Sequence, residues 1–134
     1  MSGGFEATTR GIRVQVQPIF LEDQSDPAAS RFIWAYRVRV ENGGRETVQL
    51  LRRTWRITDA HGRVQVVHGA GVIGEQPVLE PGEAFEYTSG TPLETSSGFM
   101  TGLYHFIVTA SGEAFDAAIP MFSLDSPHGS GRVH

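Results

Sequence analysis

The chain has 134 residues, of which 40% are hydrophobic and 19% are charged, and it contains no cysteine. This length accommodates one domain with its own core, and the composition is that of a globular rather than a disordered chain. The lack of cysteine excludes disulfides, cysteine-ligated zinc, iron–sulfur clusters and thiol nucleophiles. A formal net charge of −4 argues against general binding to nucleic acids or to anionic membranes.

All eleven basic residues are arginine, which excludes lysine-based Schiff-base and P-loop chemistry. The first residues lack the basic and apolar regions of a signal peptide, and no apolar run is long enough to cross a bilayer. We therefore expect a cytoplasmic protein that does not insert into membranes.

Alternation of apolar and polar residues predicts strands from the start of the chain onward. Residues 1–10 are expected to form a flexible N-terminus. The first strand runs from Ile12 to Leu21, where Pro18 marks an edge or a bulge. The second strand places five apolar side chains on one face, at Phe32, Trp34, Tyr36, Val38 and Val40.

The next strand, over residues 47–58, changes the parity of its apolar positions. Val48 and Leu50 are even-numbered, whereas Leu51, Trp55 and Ile57 are odd-numbered. One extra residue near Leu50-Leu51, a β-bulge, would turn both sets toward the core. With a tight hairpin at Asn42-Gly43-Gly44, the expected cross-strand pairs are Val40 with Val48, Trp34 with Trp55, and Phe32 with Ile57.

The remaining chain predicts further strands separated by turn signals. In order these are a turn at 59–62, a strand at 63–68, a glycine-rich segment at 69–74, a turn at Pro81-Gly82, a strand at 85–87, a polar loop at 91–97, a strand at 99–110, a turn at 111–113 and a last strand through Phe122. Seven or eight strands without a helix predict an all-β, antiparallel sandwich of the immunoglobulin or fibronectin type III kind over residues 11–124. A small barrel is the alternative. Residues 125–134 are expected to form a mobile tail.

The predicted core is a mixed aromatic cluster, because aromatic side chains contribute the largest buried areas. Its members are Phe32, Trp34, Trp55, Tyr104 and Phe106.

Three blocks of sequence closely resemble the ApaG family of small bacterial proteins. The blocks are residues 49–59 (QLLRRTWRITD), 69–77 (GAGVIGEQP) and 79–90 (LEPGEAFEYTSG). With segments at 98–100 and 119–120, the likeness covers about residues 10–124. The resemblance implies a fibronectin type III-like sandwich and a link to cobalt resistance and magnesium efflux. Related domains in eukaryotic F-box proteins and in a polymerase-delta-interacting protein imply a role in protein interactions. The resemblance supplies no catalytic residues.

Gly69, Gly71 and Gly74 match the GxGxxG pattern, which binds a pyrophosphate where a helix N-terminus follows the glycines. Glu75-Gln76-Pro77 follows here, so no helix can start at this point. The alternative is that the glycines serve turns or a bulge between strands. A backbone nest that holds an anion without a helix stays open.

The histidines are scattered, at His61, His68, His105, His128 and His134. None has the spacing that would direct two imidazoles at one ion, so we expect no metal site and no cofactor. A cobalt effect would then be indirect, through a partner. The Ser-Gly pairs at 89–90 and 111–112 lack the setting of a nucleophile elbow, and we expect no catalytic residue.

Arginines are the charged residues to which we assign a function. If the hairpin and the bulge form, Arg37, Arg39, Arg52 and Arg56 project from the outer face of one sheet, where their guanidinium groups suit phosphate or carboxylate. The alternative is a solvated face neutralised by cross-strand glutamates. Arg53 falls on the inner face near Tyr36, where it needs a partner.

These features lead to one main hypothesis and one alternative. The main hypothesis is a non-enzymatic interaction module for an acidic protein partner, with an indirect role in divalent-cation homeostasis. The alternative is a small-ligand binder for a nucleotide, a dinucleoside polyphosphate or pyrophosphate, which would use the glycines and the arginines.

Overall fold

The structure, a computed structural model, describes residues 4–128 as nine strands and two short 3-10 turns. The strands are β1 (Phe5–Thr9), β2 (Ile12–Phe20), β3 (Phe32–Asn42), β4 (Val48–Asp59), β5 (Val64–Ala70), β6 (Val78–Leu79), β7 (Ala84–Leu93), β8 (Ser97–Val108) and β9 (Ala114–Asp125). The 3-10 turns, Glu22–Gln24 and Pro27–Ala29, connect β2 to β3.

The strands form two antiparallel sheets. Sheet 1 has the order β1-β2-β3-β7, and sheet 2 has the order β5-β4-β8-β9, with β6 paired to one end of β4. The two sheets pack their apolar faces together, which confirms the predicted all-β sandwich. The strand count exceeds the prediction because β1 forms within residues 1–10, which were expected to be flexible. β1 pairs with β2 along its whole length.

The core lies between the sheets, and all five predicted aromatic members are buried in it. Trp34 is only 4% exposed, as the alternation on β3 predicts. The ring of Trp55 on sheet 2 lies 5.2 Å from that of Tyr36 on sheet 1, centroid to centroid. Phe122 on β9 packs perpendicular to Trp55 at 6.0 Å. Aromatic contacts therefore join the two sheets at the centre of the core.

The predicted hairpin at Asn42-Gly43-Gly44 is wrong. β3 pairs with β2 and β7, whereas β4 pairs with β5, β6 and β8, so this segment crosses from one sheet to the other. The expected cross-strand pairs between β3 and β4 are therefore wrong as well. The side chain of Asn42 is hydrogen-bonded at the crossover: its amide donates to the carbonyls of Glu46 (2.8 Å) and Leu79 (2.9 Å), and its oxygen accepts from the backbone of Gly44 (2.9 Å).

The predicted bulge is confirmed, but its partner strand is β8 rather than β3. The β4–β8 register shifts between Leu50 and Arg52, so Leu51 is the extra residue. The carbonyl of Leu51 accepts hydrogen bonds from the backbone of Gly71 (2.7 Å) and from the side chain of Gln76 (2.9 Å). The bulge therefore also anchors the glycine-rich segment.

The ends of the later strands differ from the prediction. β7 extends to Leu93 and β8 starts at Ser97, which reduces the polar loop predicted at 91–97 to residues 94–96. The first residues of the predicted tail are packed, since Ser126 is buried and His128 contacts Glu22 at 3.0 Å. The rest of that tail lies outside the described residues. Within residues 4–128, no helix has the length and apolar character needed to span a membrane.

Candidate functional site

The four arginines predicted to share one face lie on opposite sides of the sandwich. Arg37 and Arg39 are on β3 and project from sheet 1, whereas Arg52 and Arg56 are on β4 and project from sheet 2. The prediction of one four-arginine surface is therefore wrong. The cause is the crossover after Asn42, which places the two strands in different sheets.

Glutamates offset most of the positive charge on the outer face of sheet 1. Arg39 is paired with Glu86 at 3.1 Å and with Glu41 at 3.8 Å. Arg37 is exposed and lines a shallow depression of about 490 Å³ that Glu86 also lines. Ion pairs on an exposed sheet contribute little to stability, but they cancel the local field that would attract an anion. This is the alternative foreseen for the arginines, and it applies to Arg39.

The outer face of sheet 2 has a different character. We define the sheet 2 face as the outward side chains of β4, β5 and β8, namely Arg52, Thr54, Arg56, Val64, Val66, His68, Phe99, Thr101, Leu103 and His105. Within the part of the chain that the structure describes, no carboxylate lies within 4 Å of Arg52 or Arg56. The four apolar members of this face are each 37–47% exposed.

A polar chain crosses the sheet 2 face and connects four strands, β9, β8, β4 and β5. His105 Nδ1 lies 2.7 Å from Asp116 Oδ1, and His105 Nε2 lies 2.8 Å from the hydroxyl of Thr54. The same hydroxyl lies 3.2 Å from Nδ1 of His68. Because a carboxylate only accepts, His105 donates from Nδ1 to Asp116. Two of the scattered histidines are thus brought together.

The hydroxyl of Thr54, the imidazole of His105 and the carboxylate of Asp116 follow one another in the order that nucleophilic hydrolases use. Their surroundings differ from those of a hydrolase active site. Thr54 lies mid-strand on an outer sheet face, where the backbone N–H groups are committed to the pairing of β4 with β5 and β8. Among residues 4–128, the paired backbone of β4 therefore offers no oxyanion hole beside Thr54. Among residues 4–128 no group of three or more His, Cys, Asp or Glu side chains is placed to hold a metal ion.

The sequence could not identify this chain of contacts. Strand parity places Arg52, Thr54 and Arg56 on one side of β4, but the position of His68 and His105 beside Thr54 depends on sheet order. That order follows from long-range pairing rather than from local alternation.

The predicted glycine site is occupied by the protein's own hydrogen bonds. Ile73 (φ 43°) and Gly74 (φ 81°) form the tip of a small turn in which Val72 and Glu75 exchange backbone hydrogen bonds of 2.8 Å. The N–H of Gly71 donates to Leu51 at 2.7 Å. These bonds favour the structural role of Gly69, Gly71 and Gly74 in turns, while anion binding by them stays a prediction.

Arg53 lies on the inner side of β4 and finds its partner in this segment. Its Nη1 donates to the carbonyls of Gly71 (2.8 Å) and Ala70 (3.2 Å), and its guanidinium covers Gly69. A Cβ on residue 69 would fall 2.5 Å from Nη1, so the absence of a side chain makes this contact possible. The glycine segment therefore presents carbonyl oxygens to an arginine.

Tyrosines surround the inner side of Arg53. The hydroxyls of Tyr87 and Tyr104 are hydrogen-bonded to each other within the core. Burial raises the pKa of both groups, and burial also raises the pKa of Tyr36. These phenols are therefore neutral at physiological pH and supply no negative charge to Arg53.

Two antiparallel sheets that pack around one apolar core define the protein as a fibronectin type III-like β-sandwich. The outer face of its sheet 2 carries two arginines. Comparison with known proteins places the protein more closely. The chain belongs to the ApaG domain family, whose sequence profile matches residues 22–108.

Relatives match nearly the whole chain. The Protein ApaG of Rhodospirillum centenum is 66% identical over 128 residues, which cover 96% of this chain and 98% of that protein. The Protein ApaG of Paramagnetospirillum magneticum is 61% identical over 130 residues, covering 97% and 99% of the two chains. A crystal structure of an ApaA protein from Bordetella pertussis superposes with a TM-score of 0.84 at 45% identity, covering 87% of this chain and 94% of that one.

Proposed function

We propose that the protein is a non-enzymatic interaction module of the cytoplasm, which binds an acidic protein segment through the sheet 2 face. The observation that carries the proposal is the combination of Arg52 and Arg56, which have no ion pair within residues 4–128, with exposed aliphatic side chains beside them. Arginine is enriched in protein interfaces, and the buried centre of an interface is more apolar than other surfaces. A guanidinium that lacks an internal carboxylate is available to a carboxylate of a partner.

The geometry of the sheet favours recognition. Arg56 lies opposite Val66 on β5 and Thr54 lies opposite Leu103 on β8, so a charged and a polar side chain of β4 each have an apolar neighbour on an adjacent strand. Strand pairing fixes the spacing of these groups, which lowers the entropy lost when a partner binds. The partner should therefore carry acidic residues interspersed with apolar ones.

The role in divalent-cation homeostasis belongs to this proposal as an indirect one. It would be exerted through the bound partner, for example a transporter, and not through an ion held by this chain. The support for it is the family resemblance together with the distribution of histidines, in which no three potential ligands converge among residues 4–128.

Site-specific cross-linking tests the proposal. A photo-reactive amino acid is placed at Val66, on the sheet 2 face, and in a matched control at Ile19, which is 44% exposed and lies on β2 in sheet 1. We expect a discrete cross-linked partner from Val66 and none from Ile19. The partner is then purified, and its affinity is measured at low and high salt.

Charge reversal separates the two arginine faces. The double variant Arg52→Glu/Arg56→Glu should weaken binding of the purified partner about tenfold or more at low salt, because two charge-assisted contacts become repulsive. The control Arg37→Glu on the opposite face should bind as the unmodified protein does. Equal loss in both variants, or cross-linking from Ile19 alone, would refute the proposal.

A further inference from the structure

A cleft enters the sandwich between its two open edges. β5 is an edge strand of sheet 2 and β7 is an edge strand of sheet 1, and side chains from both sheets line a cavity of about 230 Å³ between them. Residues that matter for the argument are Tyr36, Arg53, Trp55, Gln65, Ser89 and Met100. None of these residues belongs to the sheet 2 face, so the cleft is separate from the surface assigned above.

Arg53 gives the cleft an uncompensated positive charge. The residue is half-buried, and its Nη1 is bonded to two backbone carbonyls at 2.8 and 3.2 Å. Within the described part of the chain, its Nε and Nη2 have no hydrogen-bond partner and no carboxylate lies within 4 Å. A cation partly removed from water without a counter-charge is unfavourable, so an anion that enters the cleft gains both attraction and hydrogen bonds.

The remaining walls define the shape and polarity of the ligand. Val67 and the edge of Trp55, which is 3% exposed, supply the apolar part of the wall, and Met100 is buried beneath it. Gln65 and Ser89 supply a neutral amide and a hydroxyl. The cavity has the volume of roughly eight water molecules at ~30 Å³ each, which suits a small molecule rather than a nucleotide. The ligand should therefore combine one anionic group with a short apolar body.

The charge balance selects the type of anion. Arg53 contributes one positive charge, and the cleft contains no second guanidinium among its lining residues. A carboxylate carries one negative charge, whereas a phosphate monoester carries about 1.5 to 2 at neutral pH. A carboxylate is neutralised by one arginine, but a phosphate would leave excess negative charge in a partly desolvated site.

We propose that this cleft is a binding site for a monocarboxylate with a short apolar body, with Arg53 holding the carboxylate and Trp55 packing against the body. Such a group is supplied either by a free small acid or by the C-terminal residue of a peptide. The chemistry at Arg53 is the same in both cases.

Nuclear magnetic resonance titration of the full-length, ¹⁵N-labelled protein tests the proposal. The probes are benzoate as a free acid, N-acetylphenylalanine as a peptide C-terminus, and the neutral amide of each. We expect one or both acids to shift the indole N–H of Trp55 and the backbone amides of Gln65 and Ser89, and we expect the neutral amides not to. The acid that binds more tightly identifies the source of the carboxylate.

Three variants make the result specific. Arg53→Gln should weaken acid binding about tenfold or more, since it removes a charge-assisted hydrogen bond. Arg37→Gln, on β3 and on the outer face of sheet 1, should leave the affinity unchanged. Val67→Phe fills the cleft while keeping Arg53, so it should also abolish binding, and it decides the question if Arg53→Gln does not fold.

The proposal is overturned by any of three results. The first is that neither acid shifts these signals at roughly 10 mM, which corresponds to no useful affinity. The second is that the neutral amides bind as well as the acids do. The third is that Val67→Phe folds correctly and still binds the acids as the unmodified protein does.

Discussion

The buried hydroxyls of Tyr87 and Tyr104 are hydrogen-bonded to each other. Tyr104 is fully buried, and its hydroxyl has the hydroxyl of Tyr87 as its partner. A buried hydroxyl that keeps its hydrogen bond costs little, whereas one that loses it retains the full cost of desolvation. The indole N–H of Trp34 is the one buried side-chain donor without a partner within residues 4–128. Each tyrosine hydroxyl therefore depends on the other for its hydrogen bond.

We predict that the two tyrosines are energetically coupled. Tyr87→Phe and Tyr104→Phe should each lower the free energy of unfolding by about 1–3 kcal/mol, because each leaves a buried hydroxyl unsatisfied. The double variant should lose much less than the sum of the two. A double-mutant cycle by urea denaturation measures the coupling, and strictly additive losses would contradict it.

Connections between elements depend on side chains as much as on turns. Asn42 ends β3 and is 1% exposed, and its amide bonds to the segment entering β4 and to β6 at Leu79. Its backbone also bonds to Glu83 (2.9 Å) and Gly82 (2.7 Å), just before β7. One side chain and its backbone thus hold together the parts of the chain that leave sheet 1 and return to it.

We predict that Asn42→Ala is destabilising by about 2 kcal/mol or more, since it leaves one N–H and two carbonyls of the crossover without a partner. Gln49→Ala is the matched control. It also removes a carboxamide that donates to a backbone carbonyl, that of Gln76 at 3.1 Å, but this contact is solvent-exposed. The control should lose less than about 1 kcal/mol. Chemical denaturation of both variants makes the comparison, and equal losses would mean that Asn42 does not fix the crossover.

At the scale of the whole molecule, β1 closes one side of the sandwich. Its Phe5 ring lies 6.1 Å from that of Phe122 on β9, although the two strands belong to different sheets. The hydroxyl of Thr9 accepts from the backbone of Ala118 at 3.1 Å, and Arg10 is paired with Glu113 at 3.0 Å. The opposite side, between β5 and β7, contains the cleft. The molecule is thus asymmetric, with one closed and one open edge.

We predict that deletion of residues 1–10 lowers the free energy of unfolding by at least about 2 kcal/mol, because it uncovers Phe122 and removes the half-buried inner face of β1. Deletion of residues 1–3 alone is the control and should leave stability unchanged. Urea denaturation of both truncated proteins gives the comparison. A ten-residue deletion without loss would restore the sequence-based expectation of a flexible N-terminus.

Local alternation was sufficient for much of the fold. The side chains of β3 that face the core, the extra residue at Leu51 and the all-β class could all be predicted, because each depends on which side of a strand a residue occupies. Three sequence blocks that occur in the same order as in the family were sufficient for the family resemblance. The inward position of Arg53 also followed from strand parity.

Which strand pairs with which was decided only by the tertiary structure. Both sheets share one core, so an inward residue has the same local pattern in either sheet, and alternation cannot tell a hairpin from a crossover. The chain crosses between the sheets after β3, which places Arg52 and Arg56 on the face opposite Arg37 and Arg39, and the buried side chain of Asn42 is hydrogen-bonded at this crossover. The polar chain through Thr54 and the cleft at Arg53 depend on the same crossover, because both bring together residues that only long-range packing makes neighbours.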